Sequence, residues 1–131
     1  MIGYVTLGTR DLARAAEFYD AIGAEMGVSR MGGAERYIAW GVPGGGAGIG
    51  ITLPFDGEPA TVGNGVMVAL EAKDQQQVDR LHALALSLGG TCEGAPGERF
   101  PGFYAAYFRD RDGNKLNAYV FAPGAGEGHG A

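Results

Sequence analysis

The side chains that could do chemistry in this 131-residue chain are few: two histidines, His82 and His129, and one cysteine, Cys92. A catalytic metal site ordinarily takes three protein ligands from His, Asp, Glu or Cys. His82 falls in a stretch with helical apolar spacing and reads as a half-exposed helix residue, while His129 lies in a glycine-rich tail, so neither reaches a common site from a strand. A Ser-His-Asp or Cys-His set needs its base beside its nucleophile, and Cys92 follows the His82 segment with no evident base. Cys92 can close no intrachain disulfide and reads as a small buried or half-buried side chain. Gly44, Gly45, Gly46, Gly48 and Gly50 superficially suggest a phosphate loop. Such a loop runs from a strand into a helix N-terminus, whereas this segment joins two strands. Arg99, just before Phe100-Pro101-Gly102, is expected on a loop, where it can close over a ligand or pair with its anion.

These residues need elements to hold them. From Phe103 to Phe121, aromatic and apolar residues alternate with small or polar ones on both sides of Asp112-Gly113-Asn114, the pattern of a β-hairpin. Upstream, Met1 to Thr9 reads as a strand, and Asp11 caps a helix with Leu12, Ala15, Ala16, Tyr19 and Ile22 on its stripe and Gly23 as its stop. Three further strands are expected over Gly27–Met31, Arg36–Val42 and Ala47–Leu53, followed by the connector Pro54–Gly63. The order then recurs. Gly65–Glu71 is a strand, Asp74–Leu88 a helix with Val78, Leu81, Ala85 and Leu88 on its stripe, Gln77 completes a box-like cap with Asp74, and Thr91–Ala95 precedes the hairpin. Asp11 and Asp74, Leu7 and Leu70, and Val5 and Val68 share one offset of 63 residues, which marks an internal repeat.

Composition narrows the function. The net charge is −5 and the ten Lys and Arg are scattered rather than striped, which argues against a nucleic-acid partner. No apolar run approaches the ~20 residues that cross a bilayer, and no signal-peptide order opens the chain, so a soluble cytoplasmic protein without a membrane partner is expected. The 25 glycines gather in loops and in Gly124–Ala131, a tail expected to be disordered.

Each helix covers one face of its sheet, and the other face must find cover. Alternation puts Val5, Leu7, Val68, Leu70, Leu116, Ala118 and Val120 on the helix side, leaving Tyr4, Thr6, Met67, Ala69, Glu71, Lys115, Asn117 and Tyr119 opposite. If the two sheets curl around a shared concavity, this second set lines a cup suited to a small molecule.

Two motifs carry a resemblance: Tyr4-Val5-Thr6-Leu7 followed by Arg10-Asp11-Leu12-Ala13-Arg14-Ala15-Ala16-Glu17-Phe18-Tyr19, and Tyr104 to Asn114 with its Arg109-Asp110-Arg111-Asp112-Gly113-Asn114 turn. Together they resemble the vicinal oxygen chelate superfamily of glyoxalase I, extradiol dioxygenases, and fosfomycin- and bleomycin-resistance proteins, with Arg111 where that family usually has Pro. The resemblance implies an α+β fold in which two βαβββ modules, residues 1–53 and 64–122 of a single domain 1–123, form a curled mixed sheet around a central cup, often in a homodimer. It also implies a divalent metal held by His and Glu or Gln from the first and last strands of both modules. Carried across, those positions fall on Tyr4, Met67 and Asn117, with only Ile51 and Thr52 offered by the strand Gly48–Leu53. None is a conventional ligand, so no metal and no cofactor is expected.

The cup would then be lined by Tyr4, Thr6, Trp40, Met67, Tyr107, Asn117 and Tyr119, with Arg99 at its edge, an aromatic surface with hydroxyl and amide handles that suits an aromatic or amphiphilic ligand. The leading expectation is a glyoxalase/bleomycin-resistance-like protein that binds a small organic molecule without metal, for sequestration or metal-free chemistry; no catalytic residue is assigned. Two alternatives stand beside it: a metal-dependent lyase or dioxygenase with atypical ligands, and a structural or assembly protein whose cup is filled by its own side chains.

Overall fold

A computed structural model describes residues 1–122; the expected tail, with His129, lies outside the described residues. The chain divides into two compact units, Met1–Gly65 with Arg111–Asn114, and Val66–Asp110 with the chain from Lys115 onward.

In the first unit, β1 (Tyr4–Gly8), α1 (Leu12–Glu25), β2 (Ser29–Ala34), β3 (Tyr37–Gly41) and β4 (Gly48–Thr52) follow one another. The sheet has the order β1-β4-β3-β2, with β1 parallel to β4 and the rest antiparallel. Asp11 caps α1 by accepting the Arg14 N–H at 3.1 Å, satisfying one of the donors a helix start leaves orphaned. The stripe Ala15, Ala16, Phe18, Tyr19 and Ile22 is buried against the sheet with Leu7, Trp40 and Ile51. Each fully buried large apolar side chain contributes about 1.5–3 kcal/mol, and Phe18 and Ile51 have no exposed surface. Gly23 does not stop the helix as expected. It lies inside it, where a Cβ would meet the Val28 carbonyl oxygen at 2.6 Å, so glycine here permits the chain to fold back closely.

The turn Arg111–Asn114 belongs to this unit through named bonds. Asp112 accepts from the Thr9 hydroxyl at 2.6 Å and from the Arg10 N–H at 2.9 Å, and Asn114 Nδ2 donates to the Gly8 carbonyl at 2.9 Å. Gly113 sits at φ 93°, a left-handed conformation that glycine adopts without strain. The Asp-Gly-Asn triplet therefore serves the frame: two side chains dock on the end of β1, and the glycine makes the bend.

The second unit repeats the plan with β5 (Val68–Glu71), α2 (Gln75–Ser87), β6 (Thr91–Phe100), β7 (Phe103–Arg109) and β8 (Lys115–Phe121) in the order β5-β8-β7-β6, β5 being parallel to β8. Asp74 caps α2 by accepting the Gln77 N–H at 2.8 Å, while Gln77 reaches back to the Lys73 N–H at 2.9 Å. Val78, Leu81 and Ala85 of α2 bury completely with Ala106, Phe108, Leu116 and Ala118 of the sheet. Two βαβββ units, each with its own four-stranded mixed sheet and one helix, are thus observed.

Strand β6 is longer than expected. It runs past Ala95 through Pro96 to Phe100, with register shifts between Cys92 and Gly94, Gly94 and Gly97, and Glu98 and Phe100. Bulges of this kind absorb residues that a regular ladder cannot accept. Arg99 accordingly lies on a strand and not on the loop expected for it.

Candidate functional site

The register of β7 against β8 decides what the second sheet presents. Tyr104 donates its hydroxyl to Asp79 of α2 at 2.6 Å, and Phe108 meets His82 of α2. Tyr104, Ala106 and Phe108 therefore face the helix, and alternation turns Phe103, Ala105 and Tyr107 to the other side. Across the ladder Tyr107 pairs with Asn117, and Ala105 with Tyr119; on the other flank Asn117 pairs with Ala69 and Tyr119 with Glu71. Four of the expected site residues, Arg99, Tyr107, Asn117 and Tyr119, are thus brought to one face.

Asn117 is the centre of this face. It is only 2% exposed, and its Oδ1 is the buried side-chain polar atom left without a hydrogen-bond partner among the described residues. A buried acceptor without a partner costs about 1–3 kcal/mol, and native proteins tolerate few of them. Beside it, the Tyr107 ring carries two cations: the Arg99 guanidinium at 5.3 Å from the ring centroid and the Lys115 ammonium at 5.6 Å. Further along the same strands Phe103, Tyr119 and Phe121 form an aromatic cluster with centroids 5.0 to 5.8 Å apart. Burial, and then the nearby Glu71 carboxylate, raise the Tyr119 pKa above its ordinary value, so the phenol stays protonated at neutral pH.

In the first unit Tyr4 and Thr6 lie on the face away from α1, where they pair with Gly48 and Gly50. Trp40 does not join them. Its indole N–H donates to Asp20 of α1 at 2.9 Å and its ring lies against Tyr19. Asp20 also takes both arms of Arg30, at 2.9 and 2.8 Å, and hydrogen bonding from Arg30 is the main cause holding its carboxyl below the usual range. Trp40 is therefore a helix-face residue fixed by a polar partner. The aromatic that does face away from α1 is Tyr37, whose ring lies so close to β4 that a Cβ on Gly50 would sit 2.5 Å from its Cε1. Met31 similarly overlies Gly41 and Gly48. Both were missed from sequence, although glycine at alternate strand positions signals a side chain crossing there. Met67 precedes β5 and is 41% exposed.

His82 is 8% exposed, not half-exposed, and its Nε2 lies 3.2 Å from the Sγ of Cys92. The base that sequence did not supply for Cys92 is thus present, on the helix face of the sheet, and Cys92 itself is exposed rather than buried. Burial lowers the His82 pKa, opposed by the nearby Asp79 carboxylate.

With this geometry in hand the comparison with known proteins is direct. Residues 1–118 match the family model of the Glyoxalase/Bleomycin resistance protein/Dioxygenase superfamily. The chain belongs to that superfamily. A glyoxalase/bleomycin resistance protein from Albidiferax ferrireducens T118 is 36% identical, with 93% of this chain and 99% of that one covered and a TM-score of 0.85. A putative glyoxalase from Bacillus halodurans, 18% identical over 92% and 95% of the two chains with a TM-score of 0.76, and the fosfomycin resistance protein FosX from Mesorhizobium loti, 18% identical over 93% and 92% with a TM-score of 0.69, share the fold. No curated protein matches the chain.

Superfamily enzymes with a divalent ion offer a test of the donors here. Tyr4 is a phenol 64% exposed, Met67 a thioether, and Asn117 a carboxamide. Among the described residues no three His, Cys, Asp or Glu side chains gather as metal ligands would. The donors present do not fit such an ion. Among the described residues no helix is long and apolar enough to cross a membrane.

Proposed function

We propose that this superfamily member binds a small organic molecule through its own side chains, with no divalent ion as the gripping element. The observation that carries the reading is Asn117. At the position where the family resemblance puts a metal-binding carboxylate, this chain has a buried neutral amide whose Oδ1 has no partner among the described residues. A carboxamide brings no charge to a divalent cation, as a carboxylate would, but it is a good acceptor for an N–H or O–H of an organic molecule. The aromatic surface of Tyr107, Phe103 and Tyr119 beside it supplies apolar area for such a molecule. The binding serves sequestration or a reaction in which the ligand needs no Lewis acid.

Calorimetric titration with Zn²⁺, Ni²⁺, Mn²⁺ and Fe²⁺ tests the proposal. Weak or no heat is expected from each, together with a melting temperature unchanged by a chelator. Tight equimolar binding of any one of them overturns it and favours a metal-dependent lyase or dioxygenase with unusual ligands.

A further inference from the structure

Charge on the face of the second sheet away from α2 is unevenly spread. Lys115 and Asn117 are two residues apart on β8, so their side chains share one face, with Tyr107 opposite Asn117 on β7. The Lys115 ammonium lies over the Tyr107 ring, and it makes no ion pair or hydrogen bond among the described residues. Arg99 comes to the same ring from β6 and donates to the carbonyls of Gly97 at 3.0 Å and Ala95 at 2.6 Å. Those bonds fix the guanidinium without neutralising it, and a guanidinium with five N–H groups keeps donors to spare. The next cation along, Arg109, differs: it is already paired with Glu93 at 3.1 Å.

Two cations flank one ring, and among the described residues no ion pair neutralises either of them. An anion would. Next to them lies a buried acceptor with no donor among the described residues, and an N–H or O–H on the same ligand would satisfy it. At the other end of the face Glu71 stands across from Tyr119, which disfavours negative charge there and leaves the Phe103 and Tyr119 rings for an apolar body. The polarity is therefore fixed: anion toward Lys115 and Arg99, ring toward Phe103.

We infer that this face takes a small amphiphilic organic anion bearing a hydrogen-bond donor beside its charge, such as an aryl hydroxy- or aminocarboxylate. Lys115 and Arg99 hold the anion, Asn117 Oδ1 accepts from the donor, and Tyr107, Phe103 and Tyr119 pack the apolar part. The inference deepens the metal-free binding reading above and rests on it.

The test is a two-dimensional ¹H–¹⁵N NMR titration of the full chain with three probes that differ by one group each. Mandelate carries ring, hydroxyl and carboxylate; phenylacetate lacks the hydroxyl; 1-phenyl-1,2-ethanediol lacks the charge. Mandelate is expected to move the Asn117 side-chain amide and the β7 and β8 amides, and phenylacetate to bind about tenfold more weakly, the usual size of one hydrogen bond to an otherwise stranded acceptor. Lys115→Gln and Arg99→Gln, on side chains at the surface, are each expected to weaken mandelate about tenfold, as loss of a charge-assisted bond does, and to leave the neutral diol unchanged. If the diol binds this face as tightly as mandelate and both variants bind mandelate like the unaltered chain, the anion inference falls while metal-free binding stands. If none of the three moves these amides at tens of millimolar, the inference falls, and the cation titration above then decides the broader reading separately.

Discussion

Replacing Asn117 by leucine should stabilise the free protein while abolishing its capacity to hold a ligand donor. The side chain is 2% exposed, and its Oδ1 has no partner among the described residues. Leaving such an acceptor dry costs about 1–3 kcal/mol, and an apolar side chain of similar shape removes that cost. Leucine branches at the same carbon as asparagine but is bulkier, so part of the gain is offset by crowding against Tyr107 and Ala69, its neighbours across the ladder. The net expectation is a gain of about 1 kcal/mol, or roughly 3–5 °C in melting temperature for a chain of this size. Urea titration with an unchanged m-value measures it. Asn117→Ala serves as the companion: it removes the same acceptor but leaves a void, so it should be neutral or destabilising. A loss of more than about 3 kcal/mol in the leucine variant, beyond what crowding explains, would refute the reasoning, because it would mean that Oδ1 already has a structural partner. A gain with mandelate binding intact would equally remove Asn117 from the ligand's path.

The remaining expectations concern the frame and the Cys92 side of the second sheet. Among its bonds, Asp112 accepts from the Thr9 hydroxyl at 2.6 Å and the Arg10 N–H at 2.9 Å, and without it the single Thr9 hydroxyl proton can turn to the Asp11 carbonyl 3.1 Å away. Asp112→Ala should therefore cost about 2–3 kcal/mol, the lower end for two charge-assisted bonds, and Asp112→Asn about half of that; urea unfolding checks both, and an alanine variant within about 0.5 kcal/mol of the parent would show the docking to be idle. His82 has a pKa lowered below 6.5, chiefly by burial. The unfolded chain then binds a proton that the folded chain refuses, so its stabilising contribution is complete above pH 6.5 and declines as pH falls below that value toward the folded pKa. Melting temperature should drop between about pH 7.5 and 5.5 by more in the parent than in His82→Gln, and equal drops in the two would assign the acid sensitivity elsewhere.

Much of the fold was legible because the sequence states its boundaries twice. Asp11 and Asp74 both cap helices, and β1 and β5 occupy corresponding places beside β4 and β8, at the offset read from Val5, Leu7, Val68 and Leu70. The family resemblance pointed to the same frame, and the match over residues 1–118 agrees. What was not legible depends on partners far along the chain. Tyr37 and Trp40 are three apart on one strand and must face opposite ways, and nothing local says which faces the helix; the Asp20 carboxylate decides it by accepting the indole N–H. Arg99 was hidden because Pro96 and the glycines around it read as punctuation, whereas bulges let β6 carry them to Phe100. His82 was within reach: it stands four residues after Val78 and one after Leu81, at the edge of the buried stripe, and a residue there turns toward the sheet that holds Cys92.

The two oversights bear unequally on function. Moving Trp40 to the helix face takes an aromatic out of the expected lining, while Tyr37 lies on the opposite face of the same strand, against Gly50. Moving Arg99 onto β6 matters more. On a loop its charge would have been one mobile cation among ten Lys and Arg; held by two backbone carbonyls above Tyr107, it is a fixed charge facing the same ring as Lys115. A fixed pair of cations beside a stranded amide gives this face a polarity that its aromatic residues alone do not have.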